Sequence, residues 1–358
     1  MPKRRDVLTG LATSVLLPAQ AWSAVGSPVA ISAAKRPEGK HILVGLGQNG
    51  DLTFEVPLPG RGHAAAAHPY DAEVVATARR PGTFAVVIDC AEGIIKRQLI
   101  APKGRHFYGH ASFSGDGDYL FTTENAYETG EGRIGVWDRA RGFTRIDEFS
   151  SGGIGPHEVI LLPNGDLAVA NGGIRTHPES GRDKLNLDTM RSNLTILSPD
   201  GSVVDQAFLS GEHQLNSLRH IAVLPNGTIG CGCQWQGDIF EAPSLFAVYT
   251  GAGRLASSQM DEAPLRSLRG YIGSVASLAQ DQFVATSPRG NTAVVMDHIG
   301  SVMQTLISYD VCGVATTQRN ETLMSNGGGA VVRLSAESQT QIAKYNLAFD
   351  NHLVALAL

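Results

Sequence analysis

The chain has 358 residues, a net charge of −5, 18 % charged and 42 % apolar residues, and 41 glycines. Charge below the usual ~25 % and Gly above the usual ~7 % suit a turn-rich β protein with a large core. No basic run follows the first few residues, which speaks against nucleic-acid binding, and no later apolar run reaches the ~18 residues of a membrane span.

The first element is an address. "KRRDVLTGLATSVLLPAQA" carries Arg4-Arg5, an apolar stretch and the small-x-small site Ala19-Gln20-Ala21, the order of an export signal. The pair followed by Asp6, Val7 and Leu8 resembles the twin-arginine motif; a Sec signal is the alternative. Residues 1–21 are expected to be a cleaved twin-arginine-type signal peptide, with the product in a bacterial periplasm. Twin-arginine export carries folded proteins, often with a metal already loaded, so the resemblance raises the expectation of a bound metal.

Beyond residue 27 the chain repeats. Apolar runs open at His63, His110, His157 and His220, with His352 near the end. The first three spacings are 47, 47 and 63 residues, and the last, 132, holds three units of 44. Two units without histidine fit there, opening near "SVASLAQDQ" (274–282) and "CGVATTQRN" (312–320). The second unit is the clearest, with strands predicted at 110–114, 119–124, 133–138 and 144–149, punctuated by Gly115-Asp116-Gly117 and Arg141-Gly142. Four strands per ~40–45 residues is the propeller period. Six blades start at 63, 110, 157, 220, 274 and 312. A seventh takes its inner strand from "NHLVALAL" (351–358) and the rest from 29–36, 41–46 and 51–58. The expectation is an all-β, seven-bladed β-propeller over 27–358, its last blade closed by both termini so that no inner edge is left unpaired.

The third unit is long because "IRTHPESGRDKLNLDTMRS" (174–192) is inserted after its second strand. Loops beyond ~12–15 residues are usually functional or disordered. This one carries Arg175, His177, Arg182, Asp183, Lys184 and Asp188, and is either a cover over a site or a solvated loop.

Strand alternation places the five histidines, Glu124-Asn125, Asn171-Gly172-Gly173, Gln234-Trp235 and the insertion on one face. The Pro-Asn-Gly turns lie on the opposite face as hairpin chemistry. Inner strands surround the channel, so His63, His110, His157, His220 and His352 converge at its mouth as a candidate metal ring. Neutral imidazole suits Fe, Cu, Zn or Ni. A carboxylate such as Glu124 or Glu158 would favour iron over Cu(I), leaving iron as first choice and copper as second. Asn125, Tyr127, Asn171 and His177 are candidates for the surrounding shell. Arg61 and Arg219 precede ring histidines and would bind an anionic substrate, orient a carboxylate or form surface pairs. Cys90, Cys231, Cys233 and Cys312 read as buried thiols, with a Cys-x-Cys metal site as the alternative.

A structural reading competes. WD-repeat propellers carry a Gly-His before the inner strand and a Trp-Asp ending the third, the histidine hydrogen-bonding between strands. Gly109-His110 and Trp137-Asp138 fit that pattern, but the other histidines recur in blades lacking Trp-Asp.

The stretches "HASFSGDGDYLFTTENAYETGEGRIGVWD", "GIGPHEVILLPNGDLAVANGGIRTHPESGRDKLNLDTM" and "SLRHIAVLPNGTIGCGCQWQG" resemble a family of exported bacterial YVTN/WD-like propellers of uncharacterised function. That family tends to be encoded beside imelysin-type periplasmic proteins and a di-haem peroxidase-like protein. The resemblance implies periplasmic iron handling, with imelysin-type proteins as partners, and offers no catalytic residues. Three functions stay open: a metal-binding propeller for iron uptake, which need not be an enzyme; a metal-dependent redox enzyme or lactonase-like hydrolase; and an interaction scaffold.

Overall fold

The computed structural model describes residues 22–78, 83–181, 183–209, 211–279, 281–335 and 338–356. The Arg4-Arg5 signal, Arg182 and the last two residues of the expected terminal strand lie outside these. Among the described residues no helix is long and apolar enough to cross a membrane.

The described strands, β1 to β28, form seven four-stranded antiparallel sheets. Six sheets take their strands in sequence order from an inner strand outward. These inner strands are β4 (Gly62–Ala67), β8 (Arg105–Phe113), β12 (Pro156–Leu161), β16 (Asn216–Val223), β20 (Ser274–Leu278) and β24 (Val311–Thr316). The seventh sheet runs β28 (Ala348–Ala355), β1 (Ala30–Lys35), β2 (His41–Leu46), β3 (Leu52–Leu58). Each inner strand lies beside that of the next blade, and β28 lies between β24 and β4, so the seven close a ring around the channel. The fold is the expected seven-bladed propeller, with both chain ends meeting in one blade.

The residues fit this architecture for a simple reason. Middle strands are packed on both faces by neighbouring blades, so they read as continuous apolar runs, as in Thr292–Asp297, "TAVVMD". Outermost strands see solvent on one side and alternate, as in Val302–Ile307, "VMQTLI". Between blades lie apolar clusters; one joins Ile31 and Leu43 of the last blade to Val74 and Ile88 of the first. Each such side chain contributes about 1.5–3 kcal/mol of burial. Trp22 enters this cluster 1 % exposed and donates from Nε1 to the His68 carbonyl, 3.1 Å. Trp22, five residues ahead of the expected boundary at 27, is thus packed against the first and last blades.

One expectation is corrected. Three of the histidines do not open their strands: β8 starts at Arg105, β16 at Asn216 and β28 at Ala348, whereas His63 and His157 follow the first residue of β4 and β12. The ladder runs past each histidine and breaks register there.

Candidate metal centre

The histidine strands share a β-bulge at the histidine. His157 is the extra residue between the pairs Pro156–Asn171 and Glu158–Ala170. His63 lies between the pairs Gly62–Ala78 and Ala65–Ala76, and His110 between Phe107–Glu124 and Ala111–Thr122. His352 falls between Phe349, opposite Ala34, and Leu353, opposite Ser32. In β16 the extra residue is Arg219, just before His220. Bulges re-aim side chains, and here they turn five imidazoles inward.

Hydroxyls of the second strands hold three of these bulges. Thr123 Oγ1 donates to the His110 carbonyl at 3.0 Å, and Ser32 Oγ to the His352 carbonyl at 2.9 Å. Thr77 Oγ1 donates to the carbonyls of Ala64, 3.0 Å, and Gly109. Sequence reasoning missed these residues; the signal was a Ser or Thr recurring beside the histidine's pairing position.

The rings meet. His110 touches all four others, at centroid distances of 4.9 Å to His63, 4.8 Å to His157, 5.9 Å to His220 and 4.7 Å to His352. The other four close a cycle: His63–His157 5.4 Å, His157–His220 4.8 Å, His220–His352 4.8 Å and His352–His63 4.7 Å. That is the contact pattern of a square pyramid with His110 at its apex. Five octahedral vertices with edges of about 5 Å stand about 3.5 Å from their centre. An imidazole ligating an ion at 2.0–2.1 Å has its centroid about 3.2 Å away. The ring spacing is near that of ligands around one ion, while the nitrogens that lie together fall in two sets of three that share His110.

Donor chemistry agrees with the geometry. Ligand atoms of His63, His110 and His352, and of His110, His157 and His220, lie within 4.8 Å of one another in each set. His110 Nε2 and His157 Nδ1 are buried with no hydrogen-bond partner. A buried polar atom left so costs about 1–3 kcal/mol, which a bound ion would offset. Desolvation drives the His110 and His157 pKa values well below the ordinary histidine value; Glu158 opposes this at His110, and neighbouring histidines and Arg219 lower both further. Desolvation, then Arg219, brings His220 to about 3. These three imidazoles are therefore neutral at pH 7, as ligation requires.

Glu158 completes the arrangement. Its carboxylate lies 3.6 Å from His110 Nδ1 and 3.4 Å from His220 Nδ1, and accepts from the Ile221 amide at 2.9 Å. Burial raises its pKa against the lowering effect of His110. A carboxylate behind the ring nitrogen that faces away from an ion is the usual support for a metal-ligating histidine.

Trp137 Nε1 donates to Thr122 Oγ1 at 2.9 Å, and Asp138 accepts from the Arg141 amide at 3.0 Å. Neither residue's bond reaches His110.

The family model for "Protein of unknown function (DUF1513)" matches residues 56–356, a span that holds all five histidines. The chain belongs to that family. No curated protein matches it. A solved structure, that of a protein of unknown function from Bacteroides caccae, is similar at 15 % identity over 78 % of this chain and 94 % of its own, with a TM-score of 0.47.

The remaining candidates go elsewhere. Glu124 is buried in blade two, bound to Arg145 at 2.8 Å and Thr122 at 2.9 Å, away from the ring. Asn125 donates to the Thr176 carbonyl at 3.1 Å, pinning the insertion. Tyr127 packs against His177 at 5.2 Å, and the His177 ring accepts from the Glu179 amide at 3.3 Å as a helix cap. Asn171 sits in a buried network with Ser151, Asn193 and Thr195. Arg61 is bound by Asp350 at 2.6 and 3.0 Å. The four cysteines are free and buried.

Two cavities flank the cluster. A mouth cavity of about 340 Å³ is lined by His63, His157 and His220, by Arg219, and by Thr176 and Lys184 of the insertion, among others. A channel cavity of about 610 Å³ on the other side is lined by His110, His352 and Glu158, among others. His63, His157 and His220 thus face the mouth, and His110 and His352 the channel. Such a site can hold an ion in imidazole nitrogen and leave one position open to an incoming ligand.

Proposed function

We propose that this protein is a periplasmic metal-binding propeller that holds a transition ion, iron before copper, in the cluster His63, His110, His157, His220 and His352. The observation that carries the reading is five imidazoles in mutual contact, two with orphaned buried nitrogens aimed at no protein partner. Five nitrogen donors exceed the tetrahedral set typical of structural zinc, and imidazole suits iron and copper alike; iron is placed first on the sequence resemblance. Export by Arg4-Arg5 and a role in iron uptake beside imelysin-type proteins rest on the sequence resemblances alone. The cavity against His63, His157 and His220 favours a second reading, a metal-dependent redox enzyme.

The test is elemental analysis of untagged protein after incubation with Fe(II) or Cu(II) and desalting. About one ion per chain is expected. His110→Ala with His157→Ala should leave the chain folded and remove most of the metal. Protein that stays metal-free under both ions supports the scaffold function instead.

A further inference from the structure

The mouth cavity has a charge pattern of its own. Lys184, Arg219 and Arg289 line it, and no Asp or Glu does among the described residues. A net charge of −5 for the chain makes this local excess of cations the more selective. Flat aromatic surface accompanies the charge: Tyr108, Trp235 and Tyr271 line the same space, with the Arg289 guanidinium 4.3 Å over the Tyr271 ring. A guanidinium stacked this way is pre-oriented, and its planar fork matches a carboxylate. The volume, about 340 Å³, is at the small end of small-molecule sites, roughly 300–1,000 Å³.

The site is built rather than incidental. Lys184 comes from the insertion, which is tied down over the mouth by several bonds. Tyr108 Oη and Thr176 Oγ1 are 2.8 Å apart, Asn125 Nδ2 donates to the Thr176 carbonyl, and an Arg175 guanidinium nitrogen donates to the Glu128 carbonyl at 2.8 Å. Asn186 fixes the loop's own base, accepting from the Arg175 amide at 2.6 Å and donating to the Gly173 carbonyl at 2.9 Å.

We infer that this vestibule binds a small organic carboxylate, held by Lys184, Arg219 and Arg289, with one oxygen directed at the cluster histidines His63, His157 and His220 that line the same space. The contact with an ion rests on the metal reading above; the binding of the carboxylate to the vestibule does not. Inorganic phosphate would satisfy the cations but leave the aromatic walls unused, so an organic anion fits better.

The experiment is calorimetric titration of citrate into the mature full-length chain, both metal-free and iron-loaded, with phosphate as the control anion. Citrate should bind the metal-free protein, and bind the iron-loaded protein at least 5-fold more tightly, since an ion and its ligand strengthen each other's binding reciprocally. Lys184→Gln with Arg289→Gln, both exposed positions, should melt with wild type, keep its metal and lose at least 10-fold in citrate affinity in both states. Citrate binding that the double variant does not weaken, or no citrate binding at all, overturns the inference while metal content is judged separately. Phosphate binding as tightly as citrate overturns the organic class. Citrate bound by a protein that never takes metal upholds the vestibule and removes the metal reading instead.

Discussion

Gly109 shows how tightly the cluster is fitted. A Cβ built on it would come within 2.3 Å of His63 Cδ2, and its φ of +110° is one that L side chains rarely adopt. Gly109→Ala therefore meets two obstacles, a strained backbone and a displaced imidazole. Strain of this kind costs about 1–3 kcal/mol, so the urea midpoint should fall, and iron affinity should fall with it because His63 is pushed from its place. A variant with the stability and iron affinity of wild type would show that His63 does not need its present position. Glu158 and Glu124 make a further contrast at this scale. Both are carboxylates near candidate ligands in sequence, and only one reaches the cluster. The bulge at His157 keeps Glu158 on the inner side, whereas Glu124 lies on a regular second strand and turns to Arg145.

At the scale of the element, blade two carries a charge network that steadies its outer strands. Glu148 accepts from Arg105 at 2.7 and 3.2 Å and from Arg145 at 2.8 Å, and Arg145 also holds the buried Glu124. The Arg105 hydrogen bonds, opposed by some desolvation and reinforced by Arg145, bring the Glu148 pKa from 4.5 to about 2. A carboxylate whose pKa is depressed on folding stabilises above its unfolded value and loses that contribution as pH falls through the folded one. Glu148→Gln should thus lower the melting temperature at pH 7, with the gap to wild type closing between about pH 4.5 and pH 2. A gap that stays constant across that window would remove the network from the stability of the blade. The strands themselves were legible because each apolar run is bounded by Gly, Asp, Asn or Pro: 41–46 is reproduced as His41–Leu46, and 119–124 extends only to Ala126. The bulges were not legible. They leave no fixed residue type behind, and the strand before His110, "RHFYG", reads as half-polar because Arg105 turns to Glu148 and Tyr108 to the mouth while Phe107 enters the core. The convergence of the histidines could be read from their period; which neighbours support them depended on twist and register that only the folded sheet supplies.

For the whole molecule, the arrangement depends on closure. His352 reaches the cluster on β28, the strand that joins the C-terminal end of the chain to β1 and completes the ring of inner strands. Deleting residues 351–358 removes His352 from the cluster and strips β1 of partners such as Leu353 opposite Ser32 and Val354 opposite Ile31. Each buried group left unpaired costs about 1–3 kcal/mol, so several approach the roughly 5–15 kcal/mol that holds a domain together. The truncated chain should melt far below wild type or fail to fold; one that melts like wild type would mean that the ring closes without β28. Blades five and six give no histidine to the cluster, so the ion would sit toward one side of the channel, held by blades one to four and the last. X-ray absorption on iron-loaded protein tests whether these five histidines share one ion. A shell of about five imidazole nitrogens near 2.1 Å, with their outer-ring scattering and one further light atom, is expected. A shell of oxygen atoms with two imidazoles or fewer would contradict it.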